Sequence, residues 1–498
     1  MTTTRQDSAF VALESYLAKT VRIEQAMTYL EWDIETHMPA GAASQRGEQV
    51  AALTEVRHAR WVSSELGDLL EQAESSGLDE RRQAVIREAK IERNRAVKVP
   101  VELSAEIART KPVAGKSWEN AKASADFGVF RPMLVTMVEL RRQEADALAE
   151  GGDRYDALLG DYEPGMTGAR IEGLFSGLRS GLVEILGHVR DSAANLPDIS
   201  GRFRDDLQMK LARELASTFG YDWNRGRLDT SSHPFCCGSH NDVRITTRRK
   251  ETDPLECLYA TIHETGHALY EQGVDPALGS TVLGQGASMG IHESQSRILE
   301  NQIGRSRGFC RHLFSRMCAV LGSAGVGSPE ELYRAVNKVR RGFIRTEADE
   351  VQYNLHIMLR FDLERALVGG DLEVDDLEGA WNDRFAADFG FEVDNAANGV
   401  LQDAHWSHGL FGYFPTYTLG NIYSGELVDA LFSDVPDLED RLASGDTDAL
   451  VAWLRHRIHR HGRLIEPSRL IAQAVGHSPT AEPLLRYLNA KFGELYGF

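Results

Sequence analysis

The sequence has few cysteines and no long apolar run. Its five cysteines are an odd number without the spacing of a disulfide framework, which fits a reducing compartment; they are Cys236, Cys237, Cys257, Cys310 and Cys318. No run of about 18 apolar residues is present, as a membrane-spanning helix would require. The opening segment, MTTTRQDSAF, lacks the apolar core of a signal peptide. We therefore expect a cytoplasmic protein that has no membrane partner.

Positive charge is also in short supply. Acidic residues outnumber basic ones, and the formal net charge is −19 at pH 7. A duplex nucleic-acid partner requires a basic surface against its phosphates, so we expect no such partner. One basic segment, 455–463 (RHRIHRHGR), has the apolar spacing of an ordinary amphipathic helix, and we interpret it as a solvated face.

Strand-like sequence is scarce, whereas apolar residues at helical spacing recur along the whole chain. Because no linker interrupts these patterns, we expect a mainly α fold in one large helical body. The clearest predicted helices cover residues 8–33, 44–74, 79–97, 127–150, 168–193 and 203–218.

The motif H-E-T-G-H at residues 263–267 places two imidazoles and a carboxylate on one helical turn. His263 and His267 lie one above the other at this spacing, so both can reach one metal ion, and Glu264 lies beside it as the general base of a zinc peptidase. Histidine occupies 16 of 498 positions, so about 0.04 chance matches are expected. Residues 253–256 (DPLE) have the pattern of a helix start, and Gly273 ends the run. The alternative is a buried helix with two hydrogen-bonded histidines.

A catalytic zinc site needs a third protein ligand beside an open position for water. The second motif, H-E-S-Q-S at 292–296, opens another helical pattern, and Glu293 follows His267 by 26 residues. Neighbouring helical residues point about 100° apart, so only one of His292 and Glu293 can face the metal. We predict Glu293, since a carboxylate ligand also lowers the positive charge of the site.

The segment 243–247 (VRITT), just before the motif helix, alternates apolar and polar residues like a strand. We expect a very small β-sheet near this helix. Two roles remain open for the strand. Either the edge of the strand pairs with the backbone of an extended peptide substrate, or the strand only supports the surrounding structure.

Several further segments carry motifs of one known family. They are 32–39 (WDIETHMP), 155–159 (YDALL), 163–165 (EPG), 242–246 (DVRIT), 344–350 (IRTEADE) and 399–406 (GVLQDAHW). Together with H-E-T-G-H and H-E-S-Q-S at their observed separation, these segments make the chain resemble the carboxypeptidase Taq family of metallocarboxypeptidases (peptidase family M32). The resemblance extends over nearly the whole chain.

The resemblance implies a single domain over residues 1–498, in which a deep active-site groove lies between two helical walls. An N-terminal helical part of about 1–200 would be followed by the metal site and groove in about 230–425 and a C-terminal helical part of about 426–498. It also implies Zn²⁺ as the cofactor, with Co²⁺ tolerated and one ion per subunit. The resemblance further implies a homodimer. The expected substrates are peptides with a free C-terminus, cleaved with broad specificity.

A carboxypeptidase must recognise the terminal carboxylate of its substrate, and a guanidinium group does so with two parallel hydrogen bonds. From its place in the 344–350 segment, we predict that Arg345 binds this carboxylate. Arg244, Arg360 and a purely structural pairing of Arg345 with nearby carboxylates remain as alternatives. Tyr353 is predicted to line the substrate groove.

The segment from residue 402 to 417 is rich in glycine and aromatic residues, a composition typical of turns that present side chains to a cleft. A tetrahedral intermediate needs hydrogen-bond donors aimed at its oxyanion. His405 and Tyr417 have the chemistry for this role. The alternative is that both side chains only pack within the protein.

The predicted function is therefore metal-dependent release of single C-terminal amino acids from peptides. In this reaction His263, His267 and Glu293 hold the ion, and Glu264 takes a proton from the attacking water. Two alternatives remain. One is a related helical zinc endopeptidase or dipeptidase, and the other is a non-catalytic peptide-binding protein of the same fold.

Overall fold

Helices account for most of the protein, as the apolar spacing predicts. The structure is a computed structural model that describes residues 5–74 and 78–498. Within these residues the first nine helices are α1 (Arg5–Thr36), α2 (Ala43–Trp61), α3 (Ser64–Ala73), α4 (Glu80–Lys98), α5 (Val101–Ser124), α6 (Phe127–Ala149), α7 (Arg154–Leu159), α8 (Gly168–Asp191) and α9 (Asp205–Thr218). The predicted mainly α class is confirmed.

Three strands and eleven further helices follow in the described part of the chain. The strands are β1 (Gly226–Thr230), β2 (Cys236–Ser239) and β3 (Asp242–Thr247). The helices are α10 (Pro254–Gly273), α11 (Met289–Arg297), α12 (Arg307–Val320), α13 (Pro329–Val336), α14 (Glu350–Gly369), α15 (Leu377–Phe389), α16 (Pro415–Asp434), α17 (Leu438–Ser444), α18 (Asp448–Arg457), α19 (Pro467–Val475) and α20 (Glu482–Tyr496). A π-helical turn, Ile298–Ile303, continues α11.

One predicted helix, 44–74, is wrong in its extent because it consists of two helices. α2 ends at Trp61, and α3 begins after Ser63, whose side chain accepts a hydrogen bond from the backbone N–H of Leu66 at 3.1 Å. A serine in this position satisfies a backbone donor that the first turn of a helix leaves unpaired. The apolar spacing continues across the break, so periodicity alone did not reveal it.

The chain forms two compact units, each assembled from three separate segments. The first unit comprises Met1–Val97, Pro197–Val336 and Leu427–His477, and the second comprises Lys98–Leu196, Asn337–Glu426 and Ser478–Phe498. The predicted parts 1–200, 230–425 and 426–498 do not coincide with these units, because each unit draws on all three. The active-site groove between two helical walls stays a prediction. Within the described residues, no helix combines the length and the apolarity that a membrane crossing requires.

The sheet of the first unit has the strand order β1-β3-β2. β3 pairs with β1 in parallel, with Gly226 opposite Val243, and with β2 in antiparallel, with Cys236 opposite Ile245. The predicted strand is therefore confirmed. Both of its edges are paired within the sheet, so of the two roles left open for it, support of the surrounding structure fits and pairing with a substrate does not. Val243 and Ile245 are fully buried on the side of the sheet that packs against α10.

The core of the first unit joins the N-terminal helices to the loop after α10. Phe10, Leu13 and Leu66 pack in one apolar cluster with Val274 and Leu283. Burial of these side chains fixes the loop between α10 and α11, where the glycine-rich segment 279–290 runs. This loop contributes to the site described next.

Candidate metal centre

The motif helix α10 begins where the sequence predicts. The side chain of Asp253 accepts a hydrogen bond from the backbone N–H of Leu255 at 3.1 Å, and Pro254 occupies the first turn. β3, α9, α11 and the π-helical turn pack around α10, so nearly all of its side chains are buried. Polar groups in the middle of such a helix need partners, because burying them alone is costly.

Gly266, inside the motif, lies directly against the backbone of α11. A Cβ atom there would lie 2.5 Å from the backbone oxygen of Gln295 and 2.6 Å from the Cα of Ser296. Only glycine permits this contact between two backbones. The contact brings Glu293, one turn earlier on α11, beside the two histidines of α10.

Three ligand atoms converge at this point. Oε2 of Glu293 lies 3.7 Å from Nε2 of His263 and 3.5 Å from Nε2 of His267. Ligand atoms about 2 Å from one tetrahedral ion are about 3.3 Å apart, so these side chains fit a divalent metal. Among the residues that the structure describes, they form the only group of three or more potential ligands that converge in this way.

The opposite nitrogen of His263 is held by a carboxylate that the sequence did not single out. Nδ1 of His263 lies 2.8 Å from Oε2 of Glu300, in the π-helical turn. Arg305 donates to the same carboxylate at 3.2 Å, and Arg297 donates to both Glu300 and Glu293, at 3.3 and 2.6 Å. Partners of this kind orient a metal ligand and fix which ring nitrogen carries the proton. The spacing of Glu293, Arg297 and Glu300 on one helical face was the available signal.

His292, the competing ligand in the sequence, does not join the three ligand atoms. Its Nδ1 lies 2.6 Å from Nδ1 of His267, on the side of that ring opposite Glu293, and its Nε2 lies 3.0 Å from Oε1 of Glu271. The two neighbouring residues thus point in different directions, as helical geometry requires. The structure brings Glu293, and not His292, to the other two predicted ligands.

Burial and charge perturb the acids and bases of this site. Glu264 is 6% exposed and makes no hydrogen bond with any described residue. Burial, together with the negative charges of Glu293 and Glu300, raises its pKa to about 7, against the opposing effect of His263. Burial also lowers the pKa of His267 to about 3, so its imidazole is neutral, as metal binding requires.

Three other residues named as candidates from the sequence, Arg345, Tyr353 and Arg360, come together with Asp403 in the second unit. Nη2 of Arg345 lies 2.7 Å from Oδ1 of Asp403, and its Nη1 donates to the hydroxyl of Tyr353 at 3.1 Å. Arg360 donates to the same carboxylate from Nε at 2.7 Å. We call Arg345, Arg360, Asp403 and Tyr353 the arginine cluster. The sequence offered Asp403 only as part of a motif, without a role.

The two predicted oxyanion donors contact each other. Nε2 of His405 lies 3.2 Å from the hydroxyl of Tyr417, and the guanidinium carbon of Arg345 lies 5.1 Å from the centre of the Tyr417 ring. Arg244 is not part of this group. It lies on β3 in the first unit, where its Nη2 is 2.7 Å from Oδ2 of Asp242.

Comparison with known proteins agrees with the motifs. A model of the family described as carboxypeptidase Taq (M32) metallopeptidase matches residues 12–492. "Thermostable carboxypeptidase 1" of Thermus thermophilus is 38% identical over 508 residues, covering 99% of this chain and 99% of that protein. "Carboxypeptidase 1" of Bacillus subtilis is 34% identical and covers 95% of each chain.

Solved structures show the same similarity in three dimensions. The M32 carboxypeptidase of Deinococcus radiodurans R1 has 38% identity and a TM-score of 0.95, covering 99% of this chain and 100% of that one. Metallocarboxypeptidase 1 of Trypanosoma cruzi has 33% identity and a TM-score of 0.94, covering 97% and 99%. The chain therefore belongs to the carboxypeptidase Taq (M32) family of metallopeptidases, as its motifs predict.

Proposed function

We propose that the protein is a metal-dependent carboxypeptidase of broad specificity that releases one amino acid at a time from the free C-terminus of peptides. The observation that carries this proposal is the convergence of His263, His267 and Glu293 beside the buried carboxylate of Glu264. Two imidazoles and one carboxylate are the donor set of many catalytic zinc sites. Zn²⁺ is therefore the proposed ion, one per chain, and Co²⁺ suits the same donors.

Glu264 is the proposed general base. His263, His267 and Glu293 would hold a divalent ion, which would supply polarisation of the scissile carbonyl and a lowered pKa of a water molecule. The carboxylate of Glu264 accepts the proton of the attacking water and then donates it to the nitrogen of the leaving amino acid. A pKa near 7 suits a group that must both accept and donate a proton at neutral pH.

The arginine cluster is the proposed binding site for the terminal carboxylate. Arg345 and Arg360 share the single carboxylate of Asp403, so these three groups carry one net positive charge. A buried positive charge favours an anionic ligand, and Arg345 supplies a guanidinium group for it. His405 and Tyr417 are proposed to donate hydrogen bonds to the oxyanion, while Arg244 and Tyr353 remain proposed substrate contacts.

The assembly and location are proposals as well. All five cysteines are free, which supports a reducing compartment and hence the cytoplasm. A homodimer is proposed from the family resemblance. Light scattering of the purified protein at several concentrations tests it, and a monomer at every concentration would contradict it.

Replacement of Glu264 tests the proposed mechanism. We expect Glu264→Gln, which keeps the size of the side chain, to bind metal normally but to lose about 10²- to 10⁴-fold in turnover. Glu256→Gln, near the start of the same helix, is the matched control and should retain activity. Release of single amino acids from a peptide is followed by mass spectrometry, and metal content by atomic spectroscopy. Normal turnover by Glu264→Gln would refute its role as the base.

The substrate and the metal are tested with the wild-type protein. A peptide with a free C-terminus should be shortened one residue at a time, whereas the same peptide ending in an amide should resist. Equal cleavage of both would indicate an endopeptidase, and release of dipeptides a dipeptidase. Chelation should abolish activity and Zn²⁺ or Co²⁺ should restore it; full activity of the metal-free protein would refute the metal mechanism.

A further inference from the structure

His267, a proposed metal ligand, contacts a second histidine, His292, which in turn contacts the carboxylate of Glu271. The two Nδ1 atoms of His267 and His292 are 2.6 Å apart, and their ring centres are 4.7 Å apart. On its other side, Nε2 of His292 lies 3.0 Å from Oε1 of Glu271. The same oxygen accepts a hydrogen bond from the backbone N–H of Gly286 at 3.1 Å.

Metal binding fixes the direction of each hydrogen bond in this chain of groups. A neutral imidazole that offers Nε2 to a metal carries its proton on Nδ1. That proton can bond to Nδ1 of His292 only if this nitrogen is unprotonated, which places the proton of His292 on Nε2. There the carboxylate of Glu271 accepts it. We propose that His292 is a positioning residue that, backed by Glu271, holds His267 in the tautomer and orientation that bind the metal.

The surroundings of His292 keep its ring in one place. The ring lies against Tyr270, with ring centres 5.3 Å apart. A Cβ atom on Gly286 would lie 2.7 Å from Cδ2 of His292 and 3.0 Å from Tyr270, so this position is closed to larger residues. The hydroxyl of Tyr270 in turn accepts a hydrogen bond from the backbone N–H of Ala287 at 3.0 Å. The loop after α10 therefore covers His292 and leaves it little freedom to turn.

The two metal-binding histidines are held differently. His263 bonds directly to the carboxylate of Glu300, which Arg297 and Arg305 also hold. His267 reaches a carboxylate only through a second imidazole. The orientation of His267 therefore depends on a neutral ring that is itself held from behind, and it should be lost when that ring is removed.

The inference rests on the proposed metal-dependent function, and the Zn²⁺ dissociation constant of the full-length protein tests it without measuring activity. We expect His292→Leu to raise this constant about 10- to 100-fold. His292→Asn should restore much of the affinity, because its amide oxygen can accept the proton of His267. Glu271→Leu should also weaken binding, and the double variant should lose no more than His292→Leu, since Glu271 acts through His292.

A matched control is available in the same core. His459 is buried and its ring also lies against Tyr270, but its Nε2 bonds to Gln295 and not to a ligand. His459→Leu should leave the Zn²⁺ dissociation constant unchanged. The absorption spectrum of the Co²⁺-loaded protein provides a second measurement, because it should change in His292→Leu and not in His459→Leu.

Several outcomes would overturn the inference. One is an unchanged Zn²⁺ affinity in a folded His292→Leu variant, and another is an equal loss of Zn²⁺ affinity in His292→Leu and His292→Asn. A third is a loss of Zn²⁺ affinity as complete as that of His267→Ala, which would make His292 a ligand. If His292→Leu does not fold, wild-type affinity in Glu271→Leu would overturn it. A wild-type protein that binds one Zn²⁺ but hydrolyses no peptide would refute the proposed function and leave the positioning role intact.

Discussion

Glu364 is a buried acid whose protonation should make the stability of the protein depend on pH. It lies on α14 in the second unit with 0% of its surface exposed. Oε1 lies 2.5 Å from the hydroxyl of Tyr155 and accepts from the backbone N–H of Gly412 at 3.2 Å, while Oε2 accepts from Nε1 of Trp406 at 3.3 Å. Burial outweighs these hydrogen bonds and raises the pKa of Glu364 to about 8.

The direction and size of the effect follow from this pKa. The folded protein retains a proton that the unfolded chain releases near the ordinary value of 4.5. The stability associated with this proton is fully present below pH 4.5 and is lost as the pH rises through about 8. At 1.36 kcal/mol per pKa unit, the difference between 4.5 and about 8 corresponds to at most about 5 kcal/mol.

Glu364→Gln isolates this contribution, because the amide has the same size and no charge at any pH. Urea denaturation followed by tryptophan fluorescence gives the free energy of unfolding of both proteins at pH 5 and pH 9. We expect the wild type to lose up to about 4 kcal/mol relative to the variant over this range, because about three pKa units lie between pH 5 and the pKa of about 8. Glu172→Gln, an exposed position in the same unit, controls for loss of a surface charge. A wild-type-to-variant difference that is equal at both pH values would refute the reasoning.

Three further substitutions test the two sites. Gly266→Ala should force α10 and α11 apart, since its Cβ would lie 2.5 Å from a backbone oxygen; we expect a loss of about 1–3 kcal/mol in the free energy of unfolding and weaker Zn²⁺ binding. Arg345→Lys should raise KM for free-acid peptides about tenfold or more, because lysine cannot offer the terminal carboxylate the two parallel hydrogen bonds of a guanidinium group; an effect confined to kcat would contradict this. Glu300→Gln should weaken Zn²⁺ binding about 10- to 100-fold in a competition titration with a chelator, and unchanged affinity would show that Glu300 does not support His263.

The features that the sequence predicts well are local ones. The spacing of His263 and His267 determines their geometry once a helix is assumed, and residues 253–256 indicate where that helix starts. Family motifs then identify the metallocarboxypeptidase class, which the comparisons confirm. The rotation between neighbouring helical residues allowed only one of His292 and Glu293 to face the metal, and the negative charge of a carboxylate ligand favoured Glu293.

The features that the sequence did not predict depend on contacts between distant segments. β1 (GRLDT) and β2 (CCGS) lack the alternation of a half-buried strand, so their residue pattern does not indicate that β3 has neighbours on both sides. Pairing of a substrate with the edge of β3, one of the two roles left open for this strand, is excluded by these neighbours. Likewise, Glu300 contacts His263 from within a π-helical turn, a distortion that apolar spacing does not reveal.

The surroundings of Arg345 show why nearness in sequence misleads about charge pairing. Pairing with nearby carboxylates was one of the alternatives to a role of Arg345 in substrate binding. In the structure, however, Asp349 accepts hydrogen bonds from the first backbone N–H groups of α14, and Glu350 lies 2.5 Å from Nζ of Lys491. Arg345 pairs instead with Asp403, which it shares with Arg360. Because that partner already serves a second arginine, the cluster retains one positive charge, as the proposed binding of a substrate carboxylate requires. A one-to-one pairing with Asp349 or Glu350 would have neutralised Arg345.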